Sequence, residues 1–217
     1  METSVRTPDL KEIEQQVARC KNCKLGTGQA RAVPGEGNPH ASVMLVGEAP
    51  GFYEDQQGRP FVGPAGQLLD QLLKVAGLSR ADVFITNVVK HRPPGNRDPE
   101  PDELEACEAH LLAQIAAIRP DVIVTLGRFS LAKFVPNVRS MRDMHGRAIS
   151  CNGMTICAMY HPAAALHQGS LRAVLEQDFR ALPMIISRAR ERAVLGTAQP
   201  QPTLPELQRL PEQMSLF

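Results

Sequence analysis

The chain has 217 residues, of which 43% are hydrophobic and 22% charged, and its formal net charge is +1 at pH 7. This length suits one domain with a substantial core, and the composition is that of a globular protein rather than a disordered one. No apolar run is long enough to span a bilayer and the N-terminus lacks a signal-peptide core, so we expect a cytoplasmic protein without a membrane partner.

Strand and helix patterns alternate along the chain. A first helix is predicted over 10–18, and a loop rich in Gly and Pro follows over 24–40. Further along, apolar runs predict strands at 42–47, 82–89, 121–126 and 154–160, and helices are predicted at 64–77, 99–118, 128–135 and 170–192. This alternation predicts a three-layer α/β/α domain over residues 1–194, with a central four-stranded, mainly parallel sheet. Prolines then predict a flexible tail over 195–217.

Polar residues and glycines follow the ends of the predicted strands. Glu48 begins a loop that continues Ala49-Pro50-Gly51, while Asn87 and His161 stand at two other strand ends. Glycines let the backbone of such a loop approach a flat ligand closely. Right-handed crossovers place all these loops at one edge of a parallel sheet, where open α/β proteins bind ligands. We therefore expect the functional site there.

The cysteines indicate a metal or cluster site rather than a disulfide framework, because the chain has five and no secretory signal. Cys20 and Cys23 form a C-x₂-C pair, a spacing that zinc ribbons, redox motifs and iron–sulfur proteins share. Cys107 lies in a predicted helix. These three leave a four-ligand site one short, and His91 is the candidate because imidazole can replace thiolate at an iron–sulfur centre.

Four motifs together resemble the family 4 uracil-DNA glycosylases, the iron–sulfur branch of the uracil-DNA glycosylase superfamily. The resemblance covers about residues 10–190 and rests on Gly47 to Gly51 with Glu54 and Asp55, on Pro60 to Gly66, on Thr86 to Lys90 with Arg92 to Pro94, and on His161-Pro162. It implies a monomeric DNA repair hydrolase with a [4Fe-4S] cluster on Cys20, Cys23, His91 and Cys107.

One position departs from the family pattern. His91 stands where the family usually has its third cluster cysteine, and Cys107 keeps the spacing of the fourth. A histidine at this position resembles the pattern of a related branch of the superfamily, whose members trap the abasic sugar covalently. That branch carries a basic insertion after this strand, whereas this chain has Pro93-Pro94-Gly95-Asn96, so ordinary turnover is expected. A cluster with an open iron site, or no cluster, are the alternatives.

The resemblance also implies the catalytic roles. Breaking the bond between uracil and deoxyribose develops positive charge on the sugar and negative charge on the base, which must first leave the duplex. Glu48 is expected to position the attacking water and steady the sugar cation, with Asp55 in support. His161 is expected to donate a hydrogen bond to uracil O2 and stabilise the leaving anion.

Recognition of the base is expected from other residues of the same motifs. Phe61 would stack on the flipped uracil, and the Asn87 amide can bind N3–H and O4 together, which distinguishes uracil from cytosine. Glu54 would lie at the C5 edge and exclude the methyl group of thymine. The backbone N–H of Ala49 would add a further hydrogen bond.

Contacts with DNA and with a second protein are also expected. Because the net charge is near zero, DNA contacts must come from a local patch, and the candidates for phosphate contacts are Lys90, Arg92, Arg97 and Arg128. Leu166 is a candidate wedge that enters the duplex. At the C-terminus, Gln213, Leu216 and Phe217 resemble the motif that binds the bacterial sliding clamp, which a flexible tether would favour. The rival interpretations are a covalently trapping relative and a non-catalytic, clamp-associated DNA-binding protein.

Overall fold

The structure is a computed structural model that describes residues 9–138 and 140–195. One sheet contains β1 (Glu36–Gly37), β2 (Val43–Gly47), β3 (Val83–Asn87), β4 (Val122–Leu126), β5 (Ala148–Cys151) and β6 (Met154–Met159). Their spatial order is β1-β3-β2-β4-β6-β5. The four inner strands are parallel, as predicted, whereas β1 and β5 pair antiparallel at the two edges.

The predicted strand count was wrong because the two edge strands leave no apolar run in the sequence. β1 has only two residues, and β5 alternates between exposed and half-buried positions. The inner strands β2, β3 and β4 are buried at every position, which is the pattern of a sheet covered on both faces.

Helices cover both faces of the sheet. Their bounds are α1 Leu10–Ala18, α2 Lys24–Thr27, α3 Phe52–Gln57, α4 Pro64–Val75, α5 Pro101–Ile118, α6 Arg128–Phe134, α7 Met141–Met144, α8 Pro162–His167 and α9 Ser170–Val194. The short helices α2, α3 and α8 lie in segments predicted as loops, because four to six residues are too few to show a helical period. The five predicted helices correspond to α1, α4, α5, α6 and α9, and the observed bounds lie within a few residues of the predicted ones.

Two hydrophobic clusters confirm the three-layer arrangement. On one face of the sheet, α4 and α9 pack their leucines against residues such as Leu45, Ile85 and Val124. On the other face, α5 and α6 pack against the alternate strand residues, such as Met44, Val46 and Ile123. Within the described ranges, no helix is long and apolar enough to cross a membrane.

The connections leave the sheet in two directions. From β2 the chain passes through α4 to β3 on one side, and from β4 it continues to β6 on the other. Because β2 and β4 are neighbours, the crevice between their carboxyl ends is a topological switch point. The loops that follow β2, β3, β4 and β6 all reach this edge.

Candidate active site

The loops at the carboxyl ends of the strands bring three of the predicted residues together. The ring of Phe61 lies 5.5 Å from the ring of His161, with an angle of 28° between the two planes. Asn87 ends β3 directly opposite Gly47, and a Cβ atom on Gly47 would lie 2.4 Å from Asn87 Oδ1 and 2.6 Å from Phe61 Cζ. Only glycine at position 47 therefore leaves room for both side chains.

Asn87 presents an unmet hydrogen-bond acceptor to this pocket. The residue is 1% exposed, and within the described part of the chain its Oδ1 atom has no partner. A buried acceptor without a donor costs about 1–3 kcal/mol. A ligand that brings an N–H group to this oxygen would remove that cost, and N3–H of uracil is such a donor.

His161 is held as a neutral imidazole with a defined tautomer. Its Nδ1 atom accepts a hydrogen bond from the backbone N–H of Ala163 at 3.1 Å. Burial lowers the pKa of His161 to about 4, against a small opposing effect of Glu54. At neutral pH the ring therefore carries its single proton on Nε2, so that this nitrogen is a hydrogen-bond donor.

Glu48 has the acidity of a group that works near neutral pH. Burial raises the pKa of Glu48 to about 7; Asp98 contributes in the same direction and Arg128 opposes it. The ladder between β2 and β3 continues past the strands, since Val89 N–H donates to Glu48 O at 3.1 Å. This bond fixes the backbone from which the carboxyl group projects.

Glu54 and Asp55 both bind backbone N–H groups of neighbouring loops. Glu54 accepts from Gly51 at 3.1 Å, from Val62 at 2.8 Å and from Gly63 at 2.9 Å. Asp55 accepts from Arg31 N–H at 2.6 Å. The contact of Glu54 with the C5 edge of uracil and the catalytic support from Asp55 stay predictions, as does the contact of the Ala49 N–H.

Lys90 cannot contact a phosphate, so this prediction was wrong. The residue is 0% exposed, and its ammonium group donates to Thr86 Oγ1, Asn87 O and Gln114 Oε1, each at 2.7 Å. In the sequence, the position of this lysine at a strand end, beside other basic residues, suggested a contact with DNA. In the structure its side chain instead turns back into the interior beneath Asn87.

The three arginines predicted to contact DNA each have an acidic partner. Arg97 forms a bidentate ion pair with the buried carboxylate of Glu103, at 2.6 and 2.8 Å. Arg128 pairs with Asp98 at 2.6 Å but is 70% exposed. Arg92 lies 3.8 Å from Asp55 and over the Phe52 ring. Leu166 is 49% exposed on α8. Their contacts with DNA stay predictions.

The expected cluster ligands lie in one region of the molecule. Burial raises the pKa of Cys107 to about 11; Cys20 and Cys23 contribute in the same direction, while Lys90 opposes them. Cys23 packs on the small buried cluster that contains Cys107. Burial also lowers the pKa of His91, which favours the neutral imidazole that can bind a metal.

A second histidine that the sequence did not suggest lies in the same region. His110 follows Cys107 by one turn of α5 and lines a groove together with Cys20. Its Nε2 atom is buried without a partner among the described residues. Within those residues no three Cys, His, Asp or Glu side chains converge as for a single ion.

Comparison with known proteins identifies the family of this chain. The model of the uracil DNA glycosylase superfamily matches residues 34–182. A type-4 uracil-DNA glycosylase of Sulfurisphaera tokodaii is 49% identical over 180 residues, which cover 79% of this chain and 82% of the relative. The chain belongs to the type-4 uracil-DNA glycosylases. It is thus an enzyme of DNA repair, as its motifs implied.

Two further relatives define the range of similarity. A type-4 uracil-DNA glycosylase of Thermotoga maritima is 42% identical over 180 residues, covering 81% of this chain and 94% of the relative. A type-5 uracil-DNA glycosylase of Pyrobaculum aerophilum is 31% identical over 175 residues, covering 73% and 77%. The similarity to the type-4 glycosylases is the stronger one, in both identity and coverage.

Proposed function

We propose that this type-4 uracil-DNA glycosylase binds uracil flipped out of DNA and hydrolyses its N-glycosidic bond, leaving an abasic site. Glu48 in its ionised form orients the attacking water and faces the positive charge that develops on the sugar. His161 donates from Nε2 to uracil O2 as negative charge develops on the departing base. A neutral donor suits this task, because it stabilises the anion without having to transfer a proton.

Asn87 selects the base. Its Oδ1 accepts from N3–H of uracil and its Nδ2 donates to O4, while cytosine presents an acceptor and a donor at the same places. Phe61 supplies the face on which the base stacks. The unpartnered and buried Asn87 Oδ1 is the observation that carries this proposal, because uracil N3–H would supply the donor that this oxygen lacks among the described residues.

A [4Fe-4S] cluster is the cofactor that the donor set fits, with Cys20, Cys23, His91 and Cys107 as its ligands. When bound, the cluster supplies a covalent cross-link between the segment that precedes α2, the loop after β3 and α5. Hydrolysis of a glycosidic bond needs no electron transfer, so this role is structural. We expect a cytoplasmic location, because a cluster on cysteine ligands and the unpaired thiols of Cys151 and Cys157 suit a reducing compartment.

A denaturing gel tests the activity against its alternatives. The protein is incubated with an end-labelled single strand that contains one uracil, and half of each sample is treated with alkali. Cleavage after alkali supports hydrolytic excision by a monofunctional glycosylase. A shifted band that survives denaturation would indicate covalent trapping, and an unchanged strand would indicate a non-catalytic DNA-binding protein.

The C-terminal residues are proposed to bind the sliding clamp of bacteria. Gln213, Leu216 and Phe217 lie outside the described residues, as does the tail from residue 196. We expect deletion of 213–217 to abolish clamp binding in a pull-down and to leave excision from short oligonucleotides intact. Clamp affinity that survives the deletion would contradict the proposal and would favour a tail that docks on its own domain. The enzyme itself is expected to act as a monomer.

A further inference from the structure

The described aromatic residues are distributed unevenly between interior and surface. Phe52 is 49% exposed and Tyr53 is 51% exposed, whereas the other phenylalanines and the other tyrosine in these ranges are buried or half-buried. The two exposed rings are neighbours in sequence and lie edge to face, 5.5 Å apart. Aromatic side chains that lie side by side and stay exposed to solvent indicate an interaction site.

These two rings lie at the rim of the uracil pocket. Both belong to α3, which lies in the loop between Glu48 and Phe61. A Cβ atom on Gly63, two residues after Phe61, would lie 2.8 Å from the Tyr53 ring. A nucleotide beside a uracil stacked on Phe61 can therefore reach the rings of α3.

The charges around the pair favour a nucleic acid. The Arg92 guanidinium lies over the Phe52 ring, 5.1 Å from its centroid. The two carboxylates of α3 turn to other groups, since Glu54 binds three backbone N–H groups, and Asp55 binds Arg31 N–H and faces Arg92. The exposed residues at the start of α3 are thus aromatic with a cation beside them, which suits a base and its phosphate.

We propose that Phe52 and Tyr53 form a platform on which an unpaired base next to the uracil stacks. The inference rests on the proposed function for its substrate, and it adds a binding site for a second nucleotide. Aromatic rings bind unpaired bases without regard to sequence, because every base has a π face. In a duplex the neighbouring base is paired and already stacked, so the platform favours single-stranded or locally opened DNA.

The test measures binding rather than excision, so its outcome is independent of the activity. In a Glu48→Gln background, which keeps the substrate intact, fluorescence anisotropy gives Kd for a uracil-containing single strand and for its duplex. We expect Phe52→Leu with Tyr53→Leu to weaken single-strand binding about tenfold and duplex binding much less. Leucine keeps the apolar surface and removes the aromatic face. Met184→Ser, which removes another exposed apolar residue on α9, is the matched control.

Tyrosine fluorescence supplies a second and more direct signal. The chain has two tyrosines and no tryptophan, so Tyr53 contributes much of the emission. We expect the single strand to quench this emission, and Tyr53→Phe to remove the quenching while affinity is kept. Unchanged single-strand affinity in the leucine variant would overturn the proposal. Equal losses on single strand and duplex, or no quenching of Tyr53, would overturn it as well.

Discussion

The guanidinium group of Arg80 holds the backbone of Phe61 in a left-handed conformation. Phe61 has φ of +53°, which costs a non-glycine residue about 1–3 kcal/mol. Arg80 Nη2 donates to Phe61 O, and Nη1 donates to Pro60 O at 3.1 Å. Glu36 at 2.8 Å and Asp70 at 2.6 Å hold the same guanidinium in place. The ring that we propose stacks on uracil is therefore positioned by an arginine outside every motif.

Replacing Arg80 with methionine should weaken the binding of the base. Loss of a charged donor to Phe61 O lets the strained turn relax, and we expect inhibition by free uracil to weaken about tenfold, because a charged hydrogen bond contributes about 1.5–3 kcal/mol. Arg59→Met is the matched control, since Arg59 shares the partner Glu36 but is 56% exposed. The inhibition constant of that variant should change less than about twofold.

A double variant separates positioning from general stability. With Phe61→Ala already present, Arg80→Met should add no further loss of uracil inhibition, because the ring that it positions is gone. Equal effects of Arg80→Met with and without the Phe61 ring would contradict the positioning role, even if the melting temperature falls in both.

The pH dependence of kcat/KM should show a limb set by Glu48. The active form is the carboxylate, and with a pKa of about 7 it is lost as pH falls below that value. We therefore expect kcat/KM to fall about tenfold per pH unit on the acidic side. His161 does not contribute to this limb, because its pKa of about 4 keeps it neutral there.

Asp98→Asn tests the physical cause of this pKa. Asp98 contributes to the raised pKa of Glu48, so its neutralisation should move the acidic limb to lower pH. Asp121→Asn is the control, because Asp121 also forms an ion pair with an arginine, at 2.9 Å from Arg190, but directly precedes β4 and so lies at the opposite edge of the sheet from Glu48. A limb that stays in place in Asp98→Asn, or moves to higher pH, would rule out this assignment.

The sequence was sufficient for the parts of the site that follow from topology. Asn87 and His161 stand at the ends of parallel strands, so their approach to one another follows from the order of elements alone. The backbone of Phe61 was not predictable, since a phenylalanine gives no sign of a positive φ. Arg80 was missed for a similar reason, because an arginine in a turn usually faces water and its four acceptors come from distant segments.

Lys90 is a residue for which the sequence pattern predicted the wrong role. Nothing in the local sequence distinguishes a lysine that contacts phosphate from one that is buried. Here three acceptors from β3 and α5 offset the cost of removing the Lys90 ammonium group from water. Those acceptors include Gln114, which lies on α5 and itself donates to Pro34 O at 2.6 Å. Only the tertiary fold brings this glutamine beneath Asn87.

Lys90→Met should destabilise the protein strongly. It leaves the buried oxygens of Thr86, Asn87 and Gln114 without their shared donor, and a buried acceptor left without a partner costs about 1–3 kcal/mol. Thermal and urea unfolding of the full chain measure the loss. Lys133→Met, which breaks the ion pair with Glu108 near the surface, is the control and should cost about 1 kcal/mol or less. Similar losses in the two variants would contradict the structural role of Lys90.

The assignment of His91 to the cluster is tested against the neighbouring His110. We expect His91→Ala, purified without oxygen, to lose iron and sulfide or to change the electron paramagnetic resonance spectrum of the reduced cluster, because one iron loses its protein ligand. His110→Ala should keep the iron content and show the same imidazole nitrogen coupling as the unchanged protein. Loss of that coupling in His110→Ala, with an unaltered spectrum in His91→Ala, would transfer the fourth ligand to α5.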